Sequence, residues 1–176
     1  MSIPLDKHTP GVRPSGEQPK TKQGDTMTQF QLGSISTGTL RTEDLLPVFT
    51  ATMRQFLTDN GHKSIYVERA ETIIRNDFYD MELADELVGT LMDGIQGYCP
   101  PFVYFGTLPG DGADFGFWAD MERIQETLDA AMDLERNVRN GEWEWQIEDA
   151  GVIVNTNDHG SVTVMDMDRN VLWSVV

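Results

Sequence analysis

Between Asn76 and Glu122 the chain carries ten carboxylates and no lysine, arginine or histidine. They are Asp77, Asp80, Glu82, Asp85, Glu86, Asp93, Asp111, Asp114, Asp120 and Glu122. A like-charged pair at ~4 Å in water repels by about 1 kcal/mol, and by less once salt screens it. Such a segment folds only if its acids stand in solvent while the apolar residues between them gather elsewhere. Ala84, Leu87, Val88, Leu91 and Ile95 recur at helical spacing. The pattern predicts a helix over 80–97, with Asp80 as N-cap and Glu82 in the first turn, where the helix dipole favours acids. Glu82, Asp85, Glu86 and Asp93 then face away from the apolar stripe.

The asymmetry extends over the whole chain of 176 residues. It has 13 Lys and Arg against 29 Asp and Glu, a net charge of −16. Residues 1–75 hold nine bases and eight acids, whereas residues 76–176 hold four bases and 21 acids. That balance argues against direct binding to nucleic acid or to an anionic membrane, both of which need basic patches. A single cysteine excludes a disulfide framework and a multi-cysteine zinc site. No apolar run approaches ~18 residues, as a membrane helix requires. No secretory leader pattern opens the chain, so a cytoplasmic protein is expected.

Residues 1–26 contain Pro4, Pro10, Pro14 and Pro19 and no apolar periodicity, the composition of a disordered tail. A single domain is therefore expected over 27–176. Thr42, Glu43 and Asp44 signal a helix start, but Pro47 removes a backbone donor, so a turn and then a helix from near Leu46 is predicted. Leu46, Phe49, Met53, Phe56 and Leu57 would share its inner face, and Asp59-Asn60-Gly61 would stop it. A second helix is expected over 64–76, with Val67, Ala70, Ile73 and Ile74 inward. After Cys99-Pro100-Pro101, residues 102–106 have strand composition, 107–114 that of a loop, and 114–118 that of a partner strand. Asp120 is a candidate cap for a helix reaching about Asn140, with Ile124, Leu128, Ala131 and Met132 inward and Leu134 and Val138 fitting less well. In 141–147, Trp143, Trp145 and Ile147 alternate with Glu142, Glu144 and Gln146, as in a half-buried strand. Residues 151–155, 161–165 and 170–176 complete a C-terminal meander. The order predicts an α+β fold, with helices packed on one face of a small antiparallel sheet.

Three groups of residues invite a chemical reading. Asp111 and Asp114 lie three apart in a glycine-rich stretch, where Gly106, Gly110, Gly112 and Gly116 permit tight turns. Two acids fall short of the six to eight oxygens that calcium takes, and the phosphate-loop lysine is absent. Aspartates in turns also serve backbone donors. Asp158 and His159 sit in the turn Asn157–Gly160. Only if that turn met the 107–114 loop would Asp111, Asp114, Asp158 and His159 form a metal site for hydrolysis. Cys99 has no activating base in sequence and suits a buried structural role better than a nucleophilic one.

The runs Pro100-Pro101-Phe102-Val103-Tyr104-Phe105-Gly106 and Gly110-Asp111-Gly112-Ala113-Asp114-Phe115-Gly116-Phe117-Trp118, with 35–49 and the Asn157–Gly160 turn, resemble a signature of small bacterial and phage proteins. No activity is assigned to that group. The resemblance covers about Met27 to Val176 and implies one compact cytosolic domain in a phage or mobile-element setting.

Three functional classes remain. The first is a non-enzymatic interaction protein, without cofactor. Its acids Asp77, Asp80, Glu82, Asp85, Glu86, Asp93, Asp111 and Asp114 would imitate phosphates and inhibit a basic nucleic-acid-binding protein, such as a host defence protein. The second is a metal-dependent hydrolase built on the acidic loops. The third is an accessory protein whose charge only keeps it soluble. The chain's charge distribution favours the first.

Overall fold

The computed structural model describes residues 29–130, 137–139 and 142–176. The segment 1–26, read as a tail, lies outside them. Local capping rules account for two helices directly. Ser64 opens α2 (Ile65–Arg75) by accepting the Tyr66 N–H at 3.2 Å, and Asp80 opens α3 (Met81–Gln96) by accepting the Leu83 N–H at 3.0 Å. Ala84, Leu87, Leu91 and Ile95 are buried, as their spacing predicts. The first helix differs from expectation. α1 spans Thr42–Asp59 without a break, so Pro47 lies inside it and no separate turn precedes Leu46. Packing explains the early start, because Leu45 and Leu46 are both buried and Thr42 reaches Asp85 of α3 through its hydroxyl. Pro47 sits near enough to the N-terminus that only one internal bond is forfeited. The helix stops where expected: the Asn60 side-chain amide donates to the Phe56 carbonyl at 2.8 Å, and Gly61 takes φ 67°.

The fold is α+β, with two antiparallel sheets where one was expected. In the first, β1 (Gly33–Ser36), β3 (Asp111–Ala119) and β2 (Val103–Leu108) lie in that order. β1 was not anticipated. The stretch 107–114 is not a loop either: β2 and β3 form a hairpin closed by Pro109 and Gly110, with Gly110 at φ 91°. Thr107 pairs with Phe115 and Leu108 with Asp111, so the residues between bulge from the ladder and the Ala113 carbonyl accepts the Gly38 N–H at 2.9 Å. Helices cover one face of this sheet. Phe49 of α1 meets Phe105 and Phe115 edge-on, and Phe56 meets Phe117. Gln96 ties the end of α3 to β2, accepting the Phe105 N–H at 2.8 Å and donating to the Val103 carbonyl.

After α4 (Met121–Ala130) the chain forms β4 (Asn137–Arg139), β5 (Glu142–Ile147), β6 (Val152–Asn157), β7 (Val162–Asp166) and β8 (Val171–Val175), a five-stranded meander. The expected helix to Asn140 is therefore corrected: residues 137–139 pair with β5. Pairing with a strongly alternating neighbour outweighs weak helical periodicity there. Ala131, Met132 and Leu134 lie outside the described residues. Across the meander, Trp145 faces Val154, Val154 faces Val164, and Val164 faces Trp173. The two sheets share one hydrophobic core. They are joined by the Phe30 N–H to the Leu172 carbonyl at 2.7 Å and by the Trp173 indole N–H to the Pro101 carbonyl at 2.9 Å.

Candidate acidic interaction face

A helix turns about 100° and rises 1.5 Å per residue, which places positions 82, 86 and 93 within about 40° of one another. Glu82, Glu86 and Asp93 accordingly stand exposed in a row on the outer ridge of α3, opposite its buried stripe. Their spacings along the axis are about 6 and 10 Å. Among the described residues, none of the eight acids singled out for partner binding takes part in an ion pair.

Of the remaining five, Asp80, Asp85 and Asp111 hold local structure. Asp80 caps α3. Asp77 lies in the α2–α3 connection with a left-handed φ of 56°. Asp85 accepts from Thr42, which brings it to the first turn of α1, where Glu43 and Asp44 add two acids that the 76–122 window misses. A helix-start motif was the only signal for them. Arg41 beside Glu43 tempers this corner at 3.5 Å. Asp111 accepts the Ala113 N–H at 3.0 Å and so shapes the bulge. Asp114 is half-buried, and its Oδ1 is shielded from solvent without a hydrogen-bond partner among the described residues. A chain of bonds links these places: Ala113 to Gly38, Thr39 to Asp44, and Thr42 to Asp85. The hairpin bulge, the α1 start and the first half of α3 are thus connected at one end of the helical layer.

Metal chemistry finds no comparable support. Among the described residues no group of three or more His, Cys, Asp or Glu could hold an ion, so Asp111, Asp114, Asp158 and His159 do not gather into a site. The 157–160 turn is made by Asn157, whose Oδ1 accepts the His159 and Ser161 N–H groups, both at 3.0 Å, with Gly160 at φ 82°. Asp158 and His159 lie 3.5 Å apart, both exposed.

Cys99 is partly buried against the end of α3, and burial pushes its thiol from 9.0 up to about 11. Two expectations follow from one cause. At about pH 8 only on the order of one thiol in a thousand is ionised, so iodoacetamide should label the native protein far more slowly than the urea-unfolded chain. The unfolded thiol ionises first, so this group's contribution to stability is complete below 9.0 and is lost as pH rises towards about 11. Cys99→Ser should flatten that alkaline decline in a urea titration, and an unchanged slope would remove the assignment.

Gly116 has a role other than the expected turn. It lies mid-strand, where a Cβ would overlap the Gly33 carbonyl oxygen. No described helix is long and apolar enough to cross a membrane. No protein-family model matches the chain, and no curated protein or solved structure is significantly similar to it.

Proposed function

We propose that this protein is an interaction module whose acidic face occupies the nucleic-acid-binding surface of a basic protein and so inhibits it. The row Glu82, Glu86 and Asp93 carries the reading: three exposed carboxylates stand in line without an ion-pair partner among the described residues. Solubility alone would be served equally well by interspersed charge of both signs. A nucleic-acid strand offers one phosphate per ~3.4 Å, so spacings of about 6 and 10 Å approximate two and three phosphate steps. The partner's arginines would pair with these carboxylates, giving fast association and strong salt sensitivity. In the phage or mobile-element setting that the 100–118 signature implies, a host defence nuclease is the natural target.

The test uses the tagged full-length chain as bait in nuclease-treated bacterial lysate, eluted with rising salt. The expected result is one nucleic-acid-binding protein that added DNA competes off and that the Glu82→Lys, Glu86→Lys, Asp93→Lys variant fails to retain. Asp85 is left intact, because its bond to Thr42 would confound binding with folding. Retention of the same protein by the reversed variant, with unchanged thermal stability, would reject the proposal.

A further inference from the structure

Beside the acidic ridge lie apolar side chains that a merely solubilising surface has no use for. Ile65, Tyr66, Tyr79 and Met81 are 54%, 46%, 65% and 40% exposed, and they account for four of the nine large exposed hydrophobic residues described. All four sit on the first turn of α2 or on the entry to α3. Two of them, Ile65 and Tyr79, line a groove of about 370 Å³ together with Ile73 and Leu83, with Glu68 and Arg69 among its polar lining. The connection that leads into Tyr79 has an unfavourable backbone. Asp77 and Phe78 are successive non-glycine residues at φ 56° and 54°, a region that costs free energy for any side chain with a Cβ. Phe78 packs against the core and bonds to the Ile73 carbonyl at 3.0 Å, while the next residue, Tyr79, stands in solvent.

We infer that this groove receives an apolar side chain from a basic segment of the partner, whose flanking Lys or Arg residues pair with Asp80, Glu82 and Glu86. The inference rests on the acidic-face proposal and names where the partner is anchored. Charge complementarity selects the occupant. The charged lining itself is balanced, Glu68 against Arg69, but Tyr79 and Leu83 on its α3 side are next in sequence to Asp80 and Glu82, and a second copy of a chain with net charge −16 would bring like charges together. Exposed tyrosine beside a groove also has the chemistry of an interface hot spot, a rigid ring with a polar tip.

The probe is a synthetic amphipathic helical peptide of Lys and Leu, compared by calorimetry with the same peptide carrying Gln for Leu. The Ile65→Ala, Tyr79→Ala double variant changes only exposed side chains and should fold. It should weaken the Lys/Leu peptide by roughly tenfold or more and leave the Lys/Gln peptide unaffected. Equal affinity of wild type and double variant for the Lys/Leu peptide would overturn the inference. The acidic face would still stand if charge reversal of Glu82, Glu86 and Asp93 abolished binding of both peptides. Failure of both peptides to bind wild type at low salt would reject both ideas. A concentration-dependent dimer lost in the double variant would assign the groove to a second copy and reject this one.

Discussion

Gly116→Ala is expected to unseat β1 from its sheet. A Cβ at this position overlaps the Gly33 carbonyl oxygen and lies 2.8 Å from both the Gly33 carbonyl carbon and the Ser34 Cα. These are backbone atoms, so no rotamer change relieves the clash. β1 must move, and more than one strand depends on it. Phe30, just before β1, stacks on Phe56 and meets Phe117 edge-on, and its N–H reaches the Leu172 carbonyl of the second sheet. Overpacking a close contact costs about 1–3 kcal/mol, and the upper end is expected where backbone must shift. The urea midpoint should fall accordingly, and hydrogen exchange should quicken at the amides of β1 and β3. Gly112→Ala is the control, because a Cβ there meets nothing within 4 Å. It should change stability by no more than about 0.5 kcal/mol. Equal midpoints for the two variants would refute the close-approach explanation of Gly116.

Trp173→Ala should be at least as damaging. Trp173 is fully buried, faces Val164 across the meander, and donates its indole N–H to Pro101 between α3 and β2. Removing a buried tryptophan side chain costs about 3–5 kcal/mol. Trp173→Phe separates the two parts of the loss. It keeps most of the apolar contact but leaves the Pro101 carbonyl without its donor, for about 1–3 kcal/mol. Because that carbonyl belongs to the helical half, both variants should speed exchange at Val103 and Phe105 as well as in β7 and β8. Loosening confined to the meander would show that the indole bond does not couple the sheets.

α2 and α3 were legible because their rules act over a few residues, whereas the start of α1 and the end of α4 were not. Ser64 and Asp80 cap as their types suggest, and the stripe Ala84, Leu87, Leu91 and Ile95 is buried as its spacing requires. Strict alternation marked β5 for the same reason. β1 was not legible, since Gly33–Ser36 is short and only Ile35 has strand chemistry; its place depends on the bare backbone of Gly116 far along the chain. The exposure of Glu82, Glu86 and Asp93 followed from helical spacing. The attachment of Asp85 to Thr42 did not, because those residues are 43 apart in sequence.

The amino-acid order by itself determined α2 and α3, the inward face of α3, and that one long stretch carries acid without base. Capping, periodicity and charge are properties of near neighbours. Tertiary structure alone decided that the strands divide into two sheets, that Gly116 is a contact point rather than a turn, and which acids hold the fold together and which stand free. It also left Ile65 and Tyr79 uncovered beside the acidic ridge. Those outcomes depend on which distant surfaces win the competition to pack, and no local pattern encodes that competition.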